Sequence, residues 1–105
     1  MTTSFDIRRA TPEDAFLLAT QRVAMFRDMG RTRPVLEEHL LESCAGYLAT
    51  ALASGEYVGW VAQLTTSPHS AIGGAGVQFR PLLPRPDLTG QFMLQGLEGL
   101  ILNVY

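Results

Sequence analysis

The last six residues, Leu100-Ile101-Leu102-Asn103-Val104-Tyr105, constrain the fold more than any other segment. Their composition predicts a buried strand that runs from about Glu98 to Tyr105, and the sequence has no turn or polar segment after it. Such a strand needs neighbours on both faces and both edges, because an open strand edge invites pairing with another chain. We therefore expect either a partial domain that spans residues 1–105 and ends in its fourth strand, or a second copy that covers this strand.

The composition is that of one small domain without a nucleic-acid or membrane surface. The net charge of the 105 residues is −2, and the eight basic residues are scattered arginines rather than a dense patch. No apolar run approaches the roughly 18 residues that a membrane helix needs. The N-terminus lacks the features of a signal peptide, and the one cysteine, Cys44, cannot form an internal disulfide. We expect a cytoplasmic protein with no membrane and no nucleic-acid partner.

The first half of the chain predicts a strand followed by two amphipathic helices. Residues 5–10 alternate apolar and polar side chains, as in a half-buried strand. Thr11 and Pro12 then suit the cap and first position of a helix, and Asp14 occupies the acidic position of a capping box. Apolar residues follow at a spacing of three and four until Gly30, a natural helix end.

From Glu56 onward the apolar period changes to two, which predicts strands. On the strand that starts near Tyr57, one face is wholly apolar and the other is mixed. The expected fold class is α+β, a β-α-α-β-β-β sandwich with a mostly antiparallel four-stranded sheet and two N-terminal helices. The elements after Gly30 are a second helix (35–54), two strands (57–65 and 71–79) joined by a turn (66–70), a proline-containing loop (80–90), a segment compatible with a helical turn (91–96) and the last strand.

Three segments in this order resemble the N-terminal half of a Gcn5-related N-acetyltransferase (GNAT) domain. They are Ile7-Arg8-Arg9-Ala10-Thr11-Pro12-Glu13-Asp14, Tyr57-Val58-Gly59-Trp60-Val61-Ala62 and Ile101-Leu102-Asn103-Val104-Tyr105. The resemblance implies transfer of an acetyl group from acetyl-CoA to a small-molecule or peptide amine. The pyrophosphate-binding signature of the family, Arg/Gln-x-x-Gly-x-Gly/Ala, does not occur in these 105 residues. We therefore expect the chain to be inactive and not to bind acetyl-CoA by itself.

The resemblance also implies candidate site residues, although it assigns no catalytic residue. Backbone groups of Asn103, Val104 and Tyr105 correspond to those that contact the pantetheine arm in an intact relative. The segment between the first two helices overhangs the acceptor cleft in such proteins. Its candidate substrate-binding residues are Phe26, Met29, Gly30, Arg31 and Arg33, with simple packing as the alternative for Phe26 and Met29.

Other motifs have simpler explanations. The segment Gly73-Gly74-Ala75-Gly76 matches no phosphate-binding loop, so we expect close packing against a strand. Cys44 and His39 diverge on a helix, and Glu38, His39 and Glu42 lack a further ligand, so neither a nucleophile pair nor a metal site is predicted. Two alternative functions stay open: a non-catalytic half-domain that forms a homodimer through the exposed fourth-strand edge, and a small regulatory ligand-binding domain.

Overall fold

A computed structural model describes residues 4–105, apart from the side chains of Pro68 and His69. The chain forms one four-stranded antiparallel sheet in the order β1-β2-β3-β4, with two helices between the first two strands. This confirms the predicted fold class and element order. The elements are β1 (Phe5–Arg9), α1 (Ala15–Asp28), α2 (Pro34–Ser54), β2 (Tyr57–Leu64), β3 (Ser67–Pro86) and β4 (Met93–Leu102).

The entry to α1 follows the predicted capping residues but begins with a tighter turn. Pro12–Asp14 form a single 3₁₀ turn, because Thr11 is extended and Pro12 fixes the first turn position. The Asp14 carboxylate accepts hydrogen bonds from the Thr11 backbone N–H at 2.8 Å and from two Arg8 nitrogens at 2.7 and 2.8 Å. These hydrogen bonds, chiefly those from Arg8, lower the pKa of Asp14 to about 2.

The helices cover one face of the sheet, and the core lies between the helices and that face. Leu18 and Ala19 of α1, Leu48 of α2, and Tyr57 and Val61 of β2 are all buried there. The mixed face of β2 is therefore the packed one, while Trp60 on its wholly apolar face stays 38% exposed. The glycine on the mixed face allows the helices to pack closely there, since a Cβ on Gly59 would lie 3.3 Å from Leu18 of α1.

The loop predicted over residues 80–90 is wrong for most of its length. β3 continues through this segment to Pro86 and pairs with β4, with an irregular register between Leu82 and Arg85. The prolines are tolerated because the first residue of β2, Tyr57, lies opposite Gln78, so the part of β3 beyond Gln78 has β4 as its single strand partner among residues 4–105. The helical turn considered for residues 91–96 is also wrong, because β4 already begins at Met93.

The last strand was predicted over Glu98 to Tyr105, but it begins earlier, at Met93, and ends earlier, at Leu102. Leu102 pairs with Gly76, whereas Tyr105 exchanges backbone hydrogen bonds of 2.9 and 3.3 Å with Gly74. Residues 103 and 104 thus stand opposite one residue of β3, which is the pattern of a β-bulge. Asn103 adopts a positive φ of 57°, a conformation that asparagine accepts more readily than most residues.

Candidate functional site

A cavity of about 230 Å³ opens where both helices meet the bulged end of β4. Five elements or their flanking residues contribute to its wall, and most of the surface of that wall is apolar. Small-molecule sites in proteins have this composition, with a few polar groups that fix orientation. The lining residues are Arg22 (α1), Ser43, Cys44, Tyr47 and Leu48 (α2), Tyr57 (β2), Gln78 (β3), and Leu102 and Asn103 (β4 and its bulge).

The bulge directs Asn103 into a partly buried polar network at one side of the cavity. The Asn103 side-chain oxygen accepts a hydrogen bond from Arg22 Nη1, and its Nδ2 donates to Tyr57 Oη at 2.9 Å. Tyr57 is 2% exposed, so its ring is fixed by the core while its hydroxyl reaches the cavity wall. The network joins α1, β2 and the end of β4, and it therefore ties the bulge to the helix layer.

A second polar pair lies across α2 and β3. Gln78 Nε2 donates to Tyr47 Oη at 2.6 Å, and the Tyr47 ring is 49% exposed. Cys44 lines the cavity and is partly buried against the core, whereas His39 is exposed and does not line it. Cys44 and His39 therefore do not share this cavity.

Among the residues that the structure describes, Arg22 is the one charged residue that lines the cavity. Its guanidinium carbon lies 4.8 Å from the centroid of the Phe26 ring, and that of Arg31 lies 5.5 Å from the same centroid. Within the described part of the chain, Arg22 has no carboxylate oxygen within 4.0 Å, whereas Arg8 and Arg27 are paired with Asp14 and Glu37. The cavity therefore carries an uncompensated positive charge on one wall.

The five predicted substrate-binding residues do not all come together at this cavity. Phe26 is half-buried and reaches it indirectly, by stacking on Arg22. Gly30, Arg31 and Arg33 line a different, open hollow of about 350 Å³ beside the start of α2. Met29 is 56% exposed and lines neither space. Their role in substrate binding stays a prediction.

The predicted cofactor-binding residues surround the bulge. Asn103 lines the cavity with its side chain, and Val104 is 67% exposed. Both backbone polar groups of Tyr105 pair with Gly74 of β3, so a cofactor that used them would compete with the sheet. Contact between these backbone groups and a cofactor also stays a prediction.

Sequence reasoning missed Arg22, Tyr47, Tyr57 and Gln78 as site residues. They come from four elements and share no local motif, so their proximity emerges only from the packing. One signal was present: Tyr57 begins the mixed strand face, on which a buried tyrosine needs a hydroxyl partner.

The glycine-rich segment of β3 has the structural role that its sequence predicted. A Cβ on Gly76 would lie 1.9 Å from Tyr57 Oη, and a Cβ on Gly74 would lie 2.2 Å from Gln21 Oε1 of α1. The glycines thus let two buried polar side chains cross the strand closely. Among the side chains that the structure describes, no three of His, Cys, Asp or Glu cluster as a metal site would require. Within the same range, neither helix combines the length and the apolar character needed to span a membrane.

Two solved structures match almost the whole chain. A GCN5-related N-acetyltransferase from Ralstonia eutropha JMP134 is 27% identical with a TM-score of 0.77, and the match covers 97% of this chain and 61% of that chain. A predicted acetyltransferase from Clostridium acetobutylicum, solved with acetyl-CoA, is 24% identical with a TM-score of 0.70, covering 97% and 59%. No protein-family model matches the sequence, and no curated protein resembles it significantly.

The present chain thus spans less than two thirds of the length of either matched structure. The resemblance predicted from the sequence is nevertheless confirmed, because the order of the elements, the sheet and the helix layer agree along nearly all of its residues. The chain has the fold of the corresponding part of a GCN5-related N-acetyltransferase.

Proposed function

We propose that the chain forms the acceptor side of a GNAT-type N-acetyltransferase, which transfers an acetyl group from acetyl-CoA to an amine. The observation that carries this proposal is the cavity beside the β4 bulge, in a fold shared with acetyltransferases. β-Bulges recur next to active sites, where they redirect side chains. Here the bulge directs Asn103 toward the cavity.

The cavity residues would hold and orient the amine. Acetyl-CoA supplies the activated acetyl thioester when it is bound. Because Tyr57 Oη accepts its hydrogen bond from Asn103, its own proton is available to a group in the cavity. The amine must lose a proton when its nitrogen bonds to the acetyl carbon and the carbon–sulfur bond breaks. No described side chain is assigned to that proton transfer.

The outer edge of β4 suits an extended, amide-containing arm such as pantetheine. β4 ends the strand order, so its outer edge has no strand partner within residues 4–105. An extended ligand can add to such an edge through main-chain hydrogen bonds. The pyrophosphate-binding signature is absent from these 105 residues, so we propose that they bind acetyl-CoA weakly and have little activity alone.

Acetyl transfer from labelled acetyl-CoA to a panel of amines tests the proposal. The full gene product, whether or not it extends past Tyr105, is compared with the 105-residue chain, and Tyr57→Phe provides the cavity variant. We expect transfer by the full product and a loss of at least tenfold in kcat/KM for Tyr57→Phe. Absence of transfer by the full product to any amine would contradict the proposal, and tight stoichiometric binding of acetyl-CoA by the 105-residue chain would contradict its second part.

A homodimer formed through the edge of β4 is the second candidate, as a non-catalytic self-associating half-domain. In its favour, Leu97 and Ile101 of this edge strand are 70% and 75% exposed. Exposed apolar edge strands favour pairing with another strand. The third alternative, a regulatory ligand-binding domain, would bind a small molecule in the same cavity without acetyl transfer, and the transfer assay separates it from the enzyme.

A further inference from the structure

We propose that the cavity selects acceptors that carry a carboxylate close to the amine, and that Arg22 is the residue that recognises it. This inference rests on the proposed acetyltransferase function, since it names the class of acceptor for the same site. It excludes polyamines and other purely cationic acceptors as preferred substrates.

The charge of the cavity wall is the first argument. Within residues 4–105, Arg22 is the only charged residue that lines the cavity, and no carboxylate lies within 4.0 Å of its guanidinium. A cationic acceptor would enter a wall of its own charge without an acidic group to receive it. A carboxylate would instead supply the missing counterion in a partly buried site, where the interaction is stronger than in water.

The fixed orientation of Arg22 is the second argument. Asn103 accepts a hydrogen bond from one guanidinium nitrogen, and the Phe26 ring stacks against the group at 4.8 Å. A guanidinium has five N–H donors, and its planar arrangement matches a carboxylate with two parallel hydrogen bonds. One partner and one ring hold the group in place while leaving further donors for a ligand. Such preorganisation reduces the entropy cost of binding.

The place of Arg22 on the cavity wall, rather than the lack of an ion pair alone, distinguishes it from the other arginines. Of the seven others, Arg8, Arg27 and Arg80 each form an ion pair with a carboxylate, namely Asp14, Glu37 and Glu98, and none of the seven lines this cavity. These pairs serve the local structure of a helix start, a helix–helix contact and the β3–β4 hairpin. Arg22 lines a cavity of about 230 Å³, a volume that suits a compact amino acid rather than a protein segment.

The test compares matched ligands by NMR titration of the full, ¹⁵N-labelled chain without acetyl-CoA. The probes are L-leucine and L-leucinamide, which differ in the carboxylate alone. We expect L-leucine to bind at least about tenfold more tightly, since hydrogen bonds between two charged groups are stronger than those to a neutral amide. Equal affinities, or tighter binding of the amide, would overturn the proposal.

Variants identify the responsible residue. Arg22→Gln should reduce the preference to less than about twofold, Arg22→Lys should retain part of it, and Arg9→Gln, the same change on an exposed strand residue, should leave it unaltered. Full preference in a folded Arg22→Gln chain would remove Arg22 from the proposal. Titration with inorganic pyrophosphate tests whether Arg22 instead binds the pyrophosphate group of the cofactor. Arg22-dependent binding of pyrophosphate that displaces L-leucine would assign the residue to the cofactor instead.

The transfer assay separates this inference from the proposed function. Acid-selective binding without acetyl transfer by the full gene product would overturn the enzyme proposal and leave the selectivity of the cavity intact. Acetyl transfer with equal kcat/KM for L-leucine and L-leucinamide would overturn the inference and leave the enzyme proposal intact.

Discussion

Gly76 lies directly against the ring of Tyr57, and this contact leaves no room for a side chain. A Cβ on residue 76 would lie 1.9 Å from Tyr57 Oη and 2.1 Å from its Cζ. The Gly76→Ala change should therefore displace the ring and break the hydrogen bond between Tyr57 and Asn103. We expect the free energy of unfolding to fall by about 1–3 kcal/mol, the usual cost of overpacking, as measured by urea denaturation.

Gly46 provides the matched control for this change. It lies within α2, is exposed, and a Cβ there would meet no atom within 4 Å. Because alanine favours a helix more than glycine does, Gly46→Ala should raise the free energy of unfolding by about 0.5–1 kcal/mol. If both changes have the same sign, the close contact between Gly76 and Tyr57 is not what determines the result.

The Asp14 carboxylate should make stability depend on acidity below about pH 4. Its pKa falls from 3.8 to about 2 in the folded chain, chiefly through the hydrogen bonds from Arg8. The charged form is therefore favoured by folding, and its contribution is fully present above pH 4 and lost as the pH falls toward 2. Since Arg8 is partly exposed, we expect about 1 kcal/mol.

Urea denaturation between pH 2 and pH 6 measures this contribution. Asp14→Asn should be less stable than the unchanged chain at pH 6, and the difference should shrink as the pH approaches 2. A difference that stays constant across this range would show that the loss comes from packing rather than from the charge of Asp14.

At the scale of the elements, the bulge at the end of β4 depends on the backbone conformation of Asn103. Its φ of 57° costs most residues about 1–2 kcal/mol, whereas glycine adopts it freely. Asn103→Gly and Asn103→Ala both remove the hydrogen bonds to Arg22 and Tyr57. We therefore expect Asn103→Ala to be less stable than Asn103→Gly by about 1 kcal/mol in urea denaturation. Equal stabilities would mean that the strand straightens when the side chain is lost.

Local signals predicted the helices and the first strands, but not the length of β3. Prolines within residues 80–90 indicated a loop, because a proline removes a ladder hydrogen bond when both edges of its strand are paired. That rule did not apply here, since the first residue of β2, Tyr57, lies opposite Gln78 and one edge of β3 beyond Gln78 has no strand partner among residues 4–105. The extent of a neighbouring strand depends on tertiary structure and cannot be deduced from the composition of β3.

Of the candidate site, the resemblance to the family predicted only Asn103, whose side chain lines the cavity. Tyr57 was missed although it begins a family segment, and Arg22 lies outside all three segments. Arg22 and Tyr57 are 35 positions apart, and in the folded chain the side chain of Asn103 joins them by hydrogen bonds. Short motifs record local backbone requirements, whereas this cavity is assembled from five elements.

At the scale of the whole molecule, the chain is extended and covers only one face of its sheet. Its radius of gyration is 16.7 Å, compared with about 13 Å for a compact domain of this length. The open face exposes 65% of Ile7, 38% of Trp60 and 75% of Ile101. Paired residues of neighbouring strands lie on the same face. Ile7 pairs with Ala62, which shares the face of Trp60 on β2. Ile101 pairs with Val77, which in turn pairs with Val58 on that same face of β2. The open face borders the edge of β4 that has no strand partner among residues 4–105. The exposed apolar side chains and the unpaired strand edge both favour association with another protein surface.

Self-association through β4 should therefore respond to charges placed on that strand. Ile101→Lys should lower the association constant at least about tenfold in sedimentation velocity, because a lysine on an edge strand opposes strand pairing. Leu83→Lys is the control, since Leu83 is 85% exposed but belongs to β3 rather than to β4. A monomer at every concentration would contradict the homodimer, and equal weakening by both variants would indicate nonspecific association of apolar surface rather than pairing along the β4 edge.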